Sequence, residues 1–162
     1  MHTLVLGAVL DAVLRARPGK VVVGDGAIQG CDLRKLTAAA GYRALQEHYA
    51  QVGAPVGWRD FRRTVLANQE GVWDRQAGLR PLEDYVLFDL GADSLLEPIA
   101  QDAERFPVTM YNPDLVRQTH TPGRHQYLIA REVIEADVVI NLPKLKDRNE
   151  PGLTGAFGAS GE

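Results

Sequence analysis

Six side chains in this sequence have the types and spacing to do chemistry together. Lys144 and Lys146 follow Pro143 two positions apart. On extended backbone their ammonium groups leave on the same side, where they could hold a phosphate or stabilise a developing oxyanion. His120, Arg124 and His125 flank the turn signal Pro122-Gly123. A helix starting near His125 would set them at a terminus whose N–H groups and dipole favour a phosphate or carboxylate. His120 and His125 are five apart across a turn, a weak spacing for a zinc pair, which favours i, i+4 on one helix face. Asp25 closes a valine-rich run and could bind a cation or a substrate hydroxyl. Asp25, His125 and Lys144 are therefore the candidate catalytic groups, and His120, Arg124 and Lys146 the candidate substrate-binding groups. The plainer reading of the lysines, Arg124 and the histidines is a set of solvated surface residues.

A nucleotide site is a further possibility at Gly24-Asp25-Gly26 and Gly30, glycines between a strand and a helix that would let backbone N–H groups approach a phosphate. Asp25 puts a carboxylate where a pyrophosphate would lie, and no Lys-Ser/Thr pair follows Gly30, so a structural tight turn is the stronger reading. Cys31 is a small buried or semi-buried residue, or a thiol activated by the helix that follows it.

The elements that must position these groups read as an α/β alternation. Thr3 can cap a helix over 4–16 in which Val5, Val9, Ala12 and Val13 share one face and Asp11 precedes Arg15 by four. Pro18-Gly19 ends it, and Lys20 to Gly24 is a strand. Asp32 can cap a helical stretch from Leu33, interrupted at Gly41 and continuing to Val52. Strands are expected over 55–61, 64–68, 85–90 and 107–111, a loop over 71–81, and a helical turn over 95–99. His125 to Glu135 is expected to be a helix with Leu128, Ile129, Val133 and Ile134 as its stripe. It feeds the β-branched run Val138-Val139-Ile140, a strand covered on both faces as in a parallel sheet. The expected fold class is α/β, a largely parallel sheet flanked by helices, with ligands at its C-terminal rim. Residues 1–150 would be one α/β domain and 151–162 a flexible glycine-rich tail.

Composition narrows the function classes. A chain of 162 residues is long enough for one real core. With a net charge of −3 and interspersed signs, it suggests neither a nucleic-acid footprint nor a polybasic membrane patch. The single cysteine, Cys31, excludes a disulfide framework and an iron–sulfur cluster held within this chain. The apolar stretch Leu4 to Leu14 is interrupted by Asp11 and is too short to span a bilayer. A cytoplasmic protein with no membrane or nucleic-acid partner is expected.

Asp137-Val138-Val139-Ile140-Asn141-Leu142-Pro143-Lys144-Leu145-Lys146, followed by Gly152-Leu153-Thr154-Gly155-Ala156, resembles the core signature of the domain-of-unknown-function family numbered 362, DUF362. Three other stretches agree in order: Val21 to Asp32, Tyr111-Asn112-Pro113-Asp114, and His120 to Ile129. The family name supplies no reaction. Relatives often carry ferredoxin-like cysteine modules, which this chain lacks. They usually follow the lysine pair with Thr-His, whereas Asp147-Arg148-Asn149-Glu150 stands here, and they continue Leu-Lys-Asn after the residue matching Ala156, where this chain has Phe157 and ends at Glu162. The resemblance therefore implies an incomplete half of a larger family domain. Its functional expectation is an anion- or metal-assisted site for a small anionic metabolite, with the metal and any cofactor unidentified. The alternative is a truncated, non-catalytic remnant or protein-interaction module, completed by homodimerisation or by a separate partner domain.

Overall fold

The computed structural model describes residues 2–28, 30–69, 72–77, 80–101, 117–143, 146–148 and 152–154, with backbone alone at 66–69, 72–77, 146–148 and 152–154. The chain divides into two compact units, Met1–Phe61 with Val138–Glu162, and Arg62–Asp137.

The first unit is built on helix α1 (Thr3–Arg15). His2 rather than Thr3 caps it, its Nδ1 accepting the Leu4 N–H at 3.2 Å. Strand β1 (Val21–Asp25) follows, then α2 (Leu33–Ala39), α3 (Tyr42–Gln51) and β2 (Val56–Asp60). Asp32 caps α2 as its position suggests, Oδ1 accepting the Lys35 N–H at 3.0 Å. That bond is the main reason the Asp32 carboxyl sits below its ordinary pKa. Gly41 separates α2 from α3 with φ 77°, a left-handed backbone that glycine takes without steric cost. Strands β1 and β2 pair in parallel from Val21↔Val56 to Asp25↔Asp60. The core is Leu6, Leu10 and Tyr49, packed with Leu14, Val21, Val23, Leu45, Val56, Trp58 and Leu142. Each fully buried aliphatic of this kind contributes about 1.5–3 kcal/mol.

Helix α1 is apolar on a second side as well. The face expected to be buried, Val5, Val9, Ala12 and Val13, instead lines an open groove together with Leu4 and Ile140. The expected Asp11–Arg15 ion pair is replaced too: Arg15 Nε donates to the Asp11 carbonyl at 3.4 Å, while the Asp11 carboxylate accepts from Tyr49 Oη. Val138, Val139 and Ile140, expected as a doubly covered strand, pair with no strand among the described residues and are 76%, 60% and 52% exposed. Two short strands, β8 (Lys146–Arg148) and β9 (Gly152–Thr154), form an antiparallel pair later in this unit, residues 152–154 falling in the stretch expected as a tail. Residues 155–162 lie outside the described residues.

The second unit contains no parallel pairing among its described residues. Strands β3 (Val65–Gln69) and β4 (Val72–Ala77) form an antiparallel hairpin, with β4 where a loop was expected. Strands β5 (Tyr85–Asp89), β6 (His120–Thr121) and β7 (Arg124–Ala130) form an antiparallel sheet in the order β5-β7-β6. The fold is thus mixed α/β, and the expectation of a largely parallel sheet is corrected: among the described residues one strand pair is parallel and the other pairings are antiparallel. The reason lies in the connections: the links between β3 and β4 and between β6 and β7 are two residues long, whereas a parallel crossover needs a dozen or more. The expected helix over 125–135 is also corrected. Pairing with β5 from Tyr85↔Ala130 to Asp89↔Gln126 holds this stretch extended, and only Arg131–Ile134 is helical. The strand expected over 107–111 lies outside the described residues. No helix among the described residues is long and apolar enough to cross a membrane.

Candidate functional site

The β6–β7 hairpin brings two of the candidate residues together. Pro122 and Gly123 form its tip, Gly123 taking φ 75°, the arrangement of proline followed by a left-handed glycine that suits a type II turn. The register sets His120 directly opposite His125 and Thr121 opposite Arg124. His120 Nδ1 and His125 Nδ1 are 3.4 Å apart, at the long end for a hydrogen bond. The edge of the Tyr127 ring meets His120 with centroids 5.1 Å apart, as expected for a side chain two positions along the same strand face as His125.

His125 is fully buried, with 0% exposure. Its Nε2 lies 3.0 Å from Glu97 Oε2. Glu97 begins the 3-10 turn Glu97–Ile99, with Pro98 second, and the preceding Ser94, itself buried, steadies that turn by accepting the Leu96 N–H at 3.2 Å. The same carboxylate accepts the Gly123 N–H at 2.9 and 3.2 Å, so one side chain fastens both the hairpin tip and the buried ring. The Gly123 N–H, and then the His125 side chain, hold the Glu97 carboxyl below its ordinary pKa, with desolvation working the other way.

Asp89, at the end of β5, secures the hairpin from the other edge. Its Oδ1 accepts the Gly91 N–H at 2.9 Å and the His125 N–H at 3.0 Å, and its Oδ2 accepts from Gln126 Nε2 at 3.0 Å. The backbone bonds from Gly91 and His125, then the Gln126 bond, lower its pKa. His120 is also held below its ordinary value, by burial first and by the neighbouring His125 second. Two imidazoles this close resist a second positive charge.

The other candidates take different places. Arg124 neighbours His125 on an extended strand, so it leaves from the opposite face, where its Nη1 is 3.4 Å from the Gln118 carbonyl. The expected helix N-terminus at Arg124 and His125 is therefore a hairpin strand, and no helix dipole acts on these residues. Asp25 is exposed at the end of β1, in the first unit. Lys146 starts β8 in that unit, its backbone paired with Thr154. Lys144 lies outside the described residues.

Glu97 and Asp89 were not legible as site residues, being 28 and 36 positions from His125 and carrying no motif. The one available signal was the run Ser94-Leu95-Leu96-Glu97-Pro98, a turn with a carboxylate at its start.

The glycines of the possible nucleotide loop have other roles. A Cβ on Gly24 would collide with the far end of the Phe61 ring, at Cζ, so packing favours glycine there, and the α2 N-terminus is already engaged by the Asp32 carboxylate. Among the described residues no three His, Cys, Asp or Glu side chains are arranged to hold a metal ion. What the hairpin can do is move a proton: it holds an imidazole pair of which one ring is buried and oriented by a carboxylate. No protein-family model, curated protein or solved structure matches this chain.

Proposed function

We propose that this chain is a DUF362-type α/β protein with an acid–base site for a small anionic metabolite at the His120–His125 hairpin. In this reading His120 exchanges the proton, and His125 and Glu97 stand behind it. A cytoplasmic setting, in which Cys31 stays reduced, belongs to the same proposal. The observation that carries it is the run Glu97–His125–His120, in which a wholly buried imidazole is bonded to a carboxylate at 3.0 Å and meets a second imidazole across the strand pair. Ordering a buried histidine at both ring nitrogens is costly for a plain surface hairpin and useful for general acid–base chemistry.

The test is thermal unfolding of the full chain with phosphorylated metabolites, nucleotides and small carboxylates, since a ligand that binds the folded state must raise the midpoint. A shift that disappears in His120→Ala supports the reading; a midpoint that no compound moves sinks it.

A second reading, an interaction module, is favoured by a different observation: the apolar side chains of Leu4, Val5 and Val138 to Ile140 are half or more exposed in the first unit. Sedimentation over a concentration series tests it. Self-association that Val5→Glu abolishes would support docking through this face, and a monomer at all concentrations would argue against self-docking.

A further inference from the structure

Helix α1 and the run Val138 to Ile140 leave an apolar face bare in the first unit, and the chemistry of that face narrows what can cover it. Leu4 is 75% exposed and Val5 50%, and the three residues of the run are 76%, 60% and 52% exposed. These five alone leave on the order of 500 Å² in solvent, toward the upper end of the largest patch a monomer carries. A small molecule is poorly served there. The groove between α1 and Ile140 is lined, among the described residues, by Leu, Val, Ala and Ile alone, whereas a ligand site needs a few polar groups to fix orientation. A membrane surface is poorly served too. Helices that lie on membranes carry rows of Lys and Arg along their polar side, but α1 holds one arginine and no lysine. Arg15 Nε turns back to the Asp11 carbonyl, and the Asp11 carboxylate is bonded to Tyr49.

A protein partner remains, and the charge and size of the face single out a second copy of this chain. A two-fold axis sets one patch against itself, which brings like charges together wherever the patch is charged. Neither the five exposed residues nor the groove lining contains a charge. The area agrees: two such faces bury roughly 1,000 Å² between them, the size at which an interface becomes specific. The relief agrees as well. Ala8 and Ala12, both exposed, lie between larger residues along α1 and leave hollows beside the ridges of Leu4, Val5, Val9 and Val13, as ridge-into-groove packing of two helices requires. We propose that the chain forms a two-fold homodimer by packing α1 and Val138 to Ile140 against the same elements of a second copy. This inference rests on the interaction-module reading and names its partner. Because both copies use the same face, assembly closes at two.

Sedimentation velocity of the full chain over a dilution series is expected to show a monomer–dimer equilibrium with no larger species. Val5→Glu and Ile140→Glu, each tested alone, are expected to raise the dissociation constant about a hundredfold or more, the scale of a charge placed unpaired in a dry interface. Val5→Ile is expected to keep the dimer. Both positions are half exposed in the single copy, so thermal unfolding of the dilute variants should match the unsubstituted chain, which separates lost association from lost folding. In the unsubstituted chain the midpoint should rise with concentration, as it must when association accompanies folding. If one glutamate variant fails to fold, the other decides. A monomer at every concentration overturns the homodimer and leaves an interaction module with a different partner. A dimer that neither glutamate weakens overturns the homodimer through this face and removes the support for the face as a docking surface. Species that grow beyond two with concentration overturn the closed two-fold arrangement.

Discussion

Tyr49 Oη lies 2.8 Å from Asp11 Oδ1 and 3.1 Å from the Gly7 carbonyl, which ties α3 to α1 by a hydroxyl on a residue only 2% exposed. A buried phenol is tolerated because its one hydrogen has two acceptors to choose between. Tyr49→Phe removes the donor and leaves both acceptors facing an apolar ring edge. Denaturant unfolding is expected to show a loss of about 1–2 kcal/mol, and an unchanged midpoint would mean that water already serves these groups.

The same tyrosine predicts an alkaline transition. Burial first, and the Asp11 carboxylate second, push its hydroxyl up to about 12 from an ordinary 10.0. Because the folded value is raised, the stability it contributes is fully present below pH 10 and is lost as pH rises from 10 to about 12. Absorbance titration of phenolate should show a late ionisation near pH 12, and Tyr49→Phe should remove that step.

Asp89 and Glu97 predict the opposite end of the scale for the second unit. Both carboxyls are depressed from ordinary values of 3.8 and 4.5 by hydrogen bonds made only in the folded hairpin. Their contribution is present above those values and is lost as pH falls through the lower folded ones. Amide protection at Gly91, Gly123 and His125 is expected to collapse in acid below about pH 4. Asp89→Asn should weaken this dependence, and protection that persists unchanged to pH 2 would contradict it.

Arg80 joins three groups of the second unit. It donates to Glu132 Oε1 at 2.7 Å and Asp84 Oδ2 at 3.1 Å, and its guanidinium carbon stands 5.1 Å from the Tyr85 ring centroid. Burial works against its charge, yet the bonds from Glu132 and Asp84 more than offset that. Since both Arg80 and Glu132 side chains are less than one-fifth exposed, Arg80→Ala breaks a largely buried ion pair and is expected to cost about 2–4 kcal/mol. Arg80→Lys should recover little, because one ammonium cannot reproduce the forked contacts; full recovery would show that charge alone matters.

Gly24→Ala would drive a methyl group against the far end of the Phe61 ring. Overpacking of this kind costs about 1–3 kcal/mol. Adding Phe61→Leu should return much of it, and additive losses in the double variant would show that the two positions do not meet.

What the sequence made legible was local. Val21 to Val23, the Asp32 cap, the break at Gly41 and the Pro122-Gly123 turn each carry their signal within a few residues, and the structure keeps all four. The failures are long-range. Leu128, Ile129, Val133 and Ile134 satisfy a helical period, but β5, some forty residues earlier, claims the first two for a sheet. Trp73 to Gln76 is polar enough to pass as a loop until β3 supplies the partner that makes it a strand. At the site, the five-residue histidine spacing reads only as a weak ligand pair, because the hairpin that makes it meaningful is two residue pairs long and its carboxylate comes from a separate turn.

Helix α1 carries one apolar side that seals a core and another that meets solvent, and these govern different laboratory behaviours. Enlarging or trimming Leu6 or Leu10 changes how hard the first unit is to unfold. Changing Leu4, Val5 or Val9 should leave that resistance nearly untouched and alter instead the concentration at which the chain remains in solution, so a screen that records only melting temperature would pass over half of what this helix does.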